Sequence, residues 1–122
     1  MKKNTELLQQ KFNLKISYQD ILVERDKATF SKPSDSYGEF DHRKNSITIQ
    51  EDLSNLDYSC TLIHEVLHAI SYYYNLTQSG QPLDEENKEE VVINALSNGL
   101  VATLKENPML LKILVEKLKN VR

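Results

Sequence analysis

His64-Glu65-Val66-Leu67-His68 sets two imidazoles four residues apart, with a glutamate directly after the first. On an α-helix, residues four apart lie one turn apart on one face. Two imidazoles so placed both reach one metal ion, at Zn–N bonds of about 2.0–2.1 Å. Glu65 then projects beside the ion rather than onto it, where it can accept a proton from a water held there. The flanking Leu62, Ile63, Val66, Leu67, Ala69 and Ile70 carry no charge. Such a surround keeps the helix buried and strengthens the ion's field. The competing reading is a pair of core histidines satisfied by hydrogen bonds. It would bury two polar groups on a hydrophobic helix to no purpose, and it would use two of the chain's three histidines.

A catalytic zinc site takes three protein ligands and keeps one position open. No histidine follows His68, and His42 lies upstream in an expected turn. The acidic run Asp84, Glu85, Glu86, Glu89, Glu90 is the natural source of a carboxylate. Asp84, Glu85 and Glu86 read as a first helical turn that complements the helix dipole. Val92, Ala95, Leu96 and Leu100 mark the expected core face, with Glu86, Glu90, Asn94 and Ser97 as a polar stripe beside it. A carboxylate on that stripe can turn toward the metal while Asn94, one turn on, supports it. Glu90, followed at once by apolar residues, ranks first, Glu89 second, and Glu86 stays open.

These residues need elements to hold them. Leu62, Ile63, Val66, Leu67 and Ile70 recur at helical spacing, which predicts a helix capped by Asn55 or Asp57 and running to about residue 74. A second helix is expected from about residue 84, with Val91, Val92, Ala95, Leu96, Leu100 and Leu104 as its apolar set. Asn107-Pro108 ends it and starts a third, lined by Leu110, Leu111, Ile113, Leu114 and Leu118. Upstream the texture is β-like. Leu14, Ile16 and Tyr18 alternate with polar residues, and Ile21-Leu22-Val23 continue that strand after a bend at Gln19-Asp20. Residues 31–36 read as a loop, and residues 37–41 and 46–50 as a hairpin turning through Asp41-His42-Arg43-Lys44-Asn45. Residues 6–12 read as a short helix. The expectation is an α+β fold in one domain, residues 1–122, with three strands.

Composition narrows the function. At 122 residues there is length for one core. A net charge of −3 argues against nucleic acid as a partner. One cysteine, Cys60, excludes an internal disulfide framework and a multi-thiolate zinc site. No apolar run approaches the ~20 residues that span a bilayer, and no secretory leader is legible, so cytoplasm is the expected location. Nothing in the sequence fixes oligomeric state.

Thr61-Leu62-Ile63-His64-Glu65-Val66-Leu67-His68-Ala69-Ile70, followed by an acidic helix, resembles the ImmA/IrrE-type metallopeptidase family in the short form found in phages and mobile elements. A second family motif is a Glu with a small or apolar residue three on, Asn four on, a large apolar residue six on and a small one seven on. Glu90, Ile93, Asn94, Leu96 and Ser97 are similar to it, with Ile where Ala is usual. Glu89 in the same slot loses the Asn. The likeness spans residues 14–114, including Tyr37-Gly38-Glu39, Ile47-Thr48-Ile49 and Asn107-Pro108. It implies a minimal gluzincin-like fold, with a small antiparallel sheet packed on the metal helix and the glutamate helix. It implies zinc held by His64, His68 and Glu90, with Glu65 as general base. It also implies pairing of an extended peptide with the strand before the metal helix. The substrate would be a peptide or protein, a transcriptional repressor of a mobile element among the candidates.

The expected activity is therefore zinc-dependent hydrolysis of a peptide bond. A donor for the developing oxyanion is also needed. Tyr72, four residues after His68, is placed for it, with Tyr73 and Tyr74 as further candidates, though packing is the favoured role of each. Cys60, four before His64, reads as a small core thiol. Two other classes compete: a catalytically silent metal-binding module that holds a repressor or other partner, and a DNA-associated protein using the basic C-terminal helix.

Overall fold

The computed structural model describes residues 11–27 and 37–121. Strands β1 (Phe12–Ile16), β2 (Gln19–Asp26), β3 (Gly38–Asp41) and β4 (Ser46–Gln50) precede helices α1 (Asn55–Tyr73), α2 (Glu86–Glu106) and α3 (Pro108–Leu118). The expected loop at residues 31–36 and most of the expected helix at residues 6–12 lie outside the described residues. Phe12, the last residue of that helix, opens β1 instead.

The class is α+β, as expected, but the sheet is not three antiparallel strands. It has four strands in the order β1-β2-β4-β3. β1/β2 and β3/β4 are antiparallel, whereas β2 and β4 run parallel, with Val23 opposite Ile47 and Arg25 opposite Ile49. The extra strand arises where one bent strand was expected. The chain reverses fully at Ser17-Tyr18, pairing Ile16 with Gln19. Ser17 takes φ 56 there, a left-handed turn made without the glycine that usually announces one. β4 is consequently interior, with β2 on one side and β3 on the other. Its two edges are both paired, so the edge strand beside α1 among the described residues is β3, not the strand before the metal helix.

Period-2 burial drives the sheet onto α1. Ile16, Ile21, Val23, Ile47 and Ile49 form the core with Ala69 of α1. Tyr58, Leu62, Val66, Ile70 and Tyr73 of α1 pack around it. The β3–β4 turn forms as expected, with Asp41 Oδ1 accepting from the backbone N–H groups of Arg43 and Lys44. Tyr73 ties it to α1 by donating its hydroxyl proton to the Asn45 side chain. The α1 N-cap is Ser54, whose hydroxyl accepts from Asp57 N–H, rather than Asn55 or Asp57. Asn75, at φ 67, ends the helix in the left-handed conformation.

α2 buries a different face from the one its largest apolar residues suggest. Ile93, Ser97 and Val101 are buried. Val92, Leu96 and Leu100 are 37, 50 and 43% exposed, and Ala95 is exposed. The reason is positional. α2 turns Glu89 and Glu90 toward His68, and Ile93, Ser97 and Val101 share that side at i, i+4, i+8 spacing. No helix among the described residues is long and apolar enough to cross a membrane.

Candidate metal centre

α1 presents His64 and His68 one turn apart toward α2, and α2 answers with two adjacent carboxylates. His64 Nε2 and His68 Nε2 lie 3.1 Å apart. Glu90 Oε1 is 2.6 Å from His68 Nε2 and 3.6 Å from His64 Nε2. These are the residues His64, His68 and Glu90 that could hold a metal ion, with donor atoms all within 4.8 Å of one another. Ligand atoms on a tetrahedral zinc with bonds of about 2.0–2.1 Å sit ~3.3 Å apart. The 2.6, 3.1 and 3.6 Å separations straddle that spacing.

Glu89 does not join the cluster of donor atoms. Its Oε2 lies 2.6 Å from His68 Nδ1. Accepting the Nδ1 proton assigns the tautomer that leaves the His68 Nε2 lone pair pointing at Glu90 and His64. Lone pairs facing one another across 2.6 Å require a cation among them, a proton or a metal ion. The side chains of His68 and Glu89 are 16 and 19% exposed, so water does little to screen that demand. Burial, and next the neighbouring His68, push the His64 imidazole below its ordinary pKa, against the pull of Glu90 and Glu89. That favours neutral imidazole, the ligating form. The donor set fits a divalent ion such as zinc.

Glu65 is 6% exposed. Burial pushes its carboxyl up to about 7. His68 opposes the rise, Glu90 and Glu39 add to it, and a hydrogen bond from the Phe40 backbone N–H restrains it. Gly38 makes room for this side chain. A Cβ there would stand 2.7 Å from Thr61 Cγ2, 3.2 Å from the Thr48 carbonyl oxygen and 3.3 Å from Glu65 Cγ. The sequence carried a signal for this close approach, since an isolated glycine in a strand marks one.

The site opens into a cavity walled by β3 from Gly38 to Phe40, by Thr61 and Glu65 of α1, and by Glu86, Glu89, Glu90 and Asn94 of α2. Asn94 lines it, and the carboxylate at hydrogen-bond distance from the His68 ring is that of Glu89. His42 stands outside the metal cluster and stacks on Tyr72, ring centroids 4.4 Å apart, at the same cavity. This pairing was not legible in the sequence, because it joins the β3–β4 turn to the end of α1. Tyr73 is committed to Asn45, and Tyr74 sits at the α1 C-cap. Cys60 is half-buried on the cavity wall, outside the metal cluster. No protein-family model, curated protein or solved structure matches the chain, so the chemistry of these side chains carries the functional argument.

Proposed function

We propose that the chain is a zinc-dependent peptidase of gluzincin-like build, with His64, His68 and Glu90 as metal ligands and Glu65 as general base. One observation carries the reading. Two imidazole nitrogens and a carboxylate oxygen converge beside a buried glutamate, in a cavity open to solvent. Two histidines, one carboxylate and an open side are the donor set of catalytic zinc.

Held by His64, His68 and Glu90, a zinc ion would supply Lewis acidity toward a water and a substrate carbonyl. Glu65 takes the proton of the attacking water and returns it to the departing amine nitrogen. Its burial supports the proton-accepting role, because desolvation raises the proton affinity of a carboxylate. The Phe40 N–H aims the carboxylate, and Glu89 fixes the His68 ring. β3, the edge strand among the described residues on the cavity wall, is placed to line an extended peptide. A regulatory protein such as a transcriptional repressor, met in the cytoplasm, is the substrate class that the family resemblance supplies.

The test is metal analysis and peptide cleavage on wild type, His64→Ala and Glu65→Gln, each purified without chelator. Zinc should accompany wild type and Glu65→Gln and be depleted in His64→Ala, while a peptide library is cut by wild type alone. Equal zinc in wild type and His64→Ala overturns the site. Cleavage retained by Glu65→Gln overturns the mechanism. Zinc binding without cleavage by wild type means a silent binding module.

A further inference from the structure

Tyr72 follows His68 by four residues and continues the row of His64 and His68 along one face of α1. Its Cα–Cβ bond tilts toward the helix N-terminus, back over the turn that carries His68. Three rings fix where the phenol lies. His42 stacks on it, centroids 4.4 Å apart and planes 20° from parallel, while Phe40 and Tyr73 meet it edge-on at 6.1 and 5.0 Å. Tyr72 and His42 line the cavity that also holds His64, His68 and Glu65. The turn that presents His42 is itself pinned by Asp41, which accepts from two backbone N–H groups. Core packing does not account for this arrangement, because Tyr73 packs on the core and Tyr72 is 39% exposed. The two hydroxyls divide in the same way. That of Tyr73 donates to Asn45, whereas that of Tyr72 has no hydrogen-bond partner among the described residues. An oriented phenol with an unused O–H, at the wall of a polar cavity, is a donor held ready for a ligand.

We propose that Tyr72 is a catalytic residue and His42 its positioning residue. The phenol donates to the oxygen of the scissile carbonyl as that oxygen gains negative charge, and the imidazole stacked on the ring holds the O–H in place. This assignment rests on the peptidase reading. The hydrogen bond strengthens as the carbonyl carbon turns tetrahedral, so it stabilises the transition state over the bound peptide. No proton leaves the phenol, since Glu65 carries the proton of the water. The β3–β4 turn thereby contributes to a site whose metal donors come from helices alone.

Wild type, Tyr72→Phe, His42→Ala and His42→Phe, each checked for zinc content, are compared on a library peptide that wild type cuts. Tyr72→Phe keeps the ring and should lower kcat on the order of 100-fold, with KM unchanged. His42→Ala loosens the ring and should lower kcat about 10-fold or more, and His42→Phe, which still stacks, should restore it. Binding gives a readout apart from turnover. By calorimetry a phosphinic analogue of the peptide, tetrahedral at phosphorus, should bind Tyr72→Phe about 100-fold more weakly than wild type. In the metal-free protein the His42 ring protons should be shifted upfield by the phenol stacked on them, and Tyr72→Leu should abolish the shift. Unchanged kcat or unchanged analogue affinity in Tyr72→Phe overturns the role of Tyr72, and so does a loss carried by KM alone. An absent upfield shift, or His42→Phe as impaired as His42→Ala, overturns the role of His42. A wild type that holds zinc and cuts no peptide overturns the peptidase reading and this assignment with it, whereas cleavage by wild type and Tyr72→Phe alike overturns this assignment alone.

Discussion

Replacing Glu65 by Gln should stabilise the metal-free protein at neutral and alkaline pH, the opposite of what loss of a merely structural carboxylate would do. The carboxyl is 6% exposed, and burial lifts it from 4.5 to about 7. In the unfolded chain it loses its proton near pH 4.5, and in the folded chain near pH 7. Between those values the folded state binds more protons. The contribution to stability is therefore whole below pH 4.5, falls as pH rises through the window, and is gone above pH 7. At about 1.4 kcal/mol per pKa unit the loss is about 3 kcal/mol. Gln carries no charge into the site and still accepts the Phe40 N–H. Urea unfolding with chelator present should give wild type and Glu65→Gln equal stability near pH 4.5. The variant should lead by about 3 kcal/mol at pH 8, or about 10 °C in Tm. Subtracting the two proteins cancels the titrations of groups that do not interact with Glu65. A difference that stays flat with pH, or a wild type that is the more stable at pH 8, refutes the claim that Glu65 is held against its charge.

Three further outcomes follow from the geometry. Glu89→Gln should lower metal affinity about 10–100-fold, read by competition with a chromophoric chelator, because His68 loses its anionic partner but the cluster keeps its three donors; an unchanged affinity removes Glu89 from the site. Gly38→Ala should destabilise the fold by about 1–3 kcal/mol, since the new methyl meets Thr61 Cγ2 at 2.7 Å and a backbone carbonyl at 3.2 Å. Adding Thr61→Ser should recover part of that in urea unfolding, and no recovery would place the strain elsewhere. Ile47→Ala, at a fully buried position between β2 and β3, should lose about 2–5 kcal/mol by the same assay; a smaller loss would mean that the sheet collapses around the gap.

The elements whose pattern is local were readable from the residues alone. α1 and α3 follow their 3.6-residue periodicity, and Asp41 to Asn45 turns as its composition requires, because Asp41 itself caps two backbone N–H groups. What the chain hides is non-local. Ser17 and Tyr18 make a hairpin without Gly, Asn or Asp, so nothing distinguishes a reversal from a bend. Parallel pairing of β2 with β4 leaves no mark in either strand, since Val23 and Ile47 would look the same in an antiparallel ladder. The buried face of α2 is obscured for a further reason. The stripe richest in large apolar residues is the one turned to solvent, and a residue's type does not say which face of its helix the rest of the chain will cover.

The adjacent pair Glu89-Glu90 shows the same limit at the site. Spacing had to rank them against each other as rival ligands, yet both act on one imidazole. Neighbouring residues on a helix project about 100° apart, and His68 has its two nitrogens on opposite sides of the ring. Glu90 Oε1 meets Nε2 and Glu89 Oε2 meets Nδ1, each at 2.6 Å. The two carboxylates bracket the ring, and only the nitrogen each one meets separates their roles. The carboxylate on Nδ1 holds a proton in place and thereby aims the lone pair on Nε2, while the carboxylate on Nε2 shares the point at which that lone pair is aimed. A helix that supplied only one of them would hold either an oriented histidine with one donor fewer, or three donors with one ring free to turn.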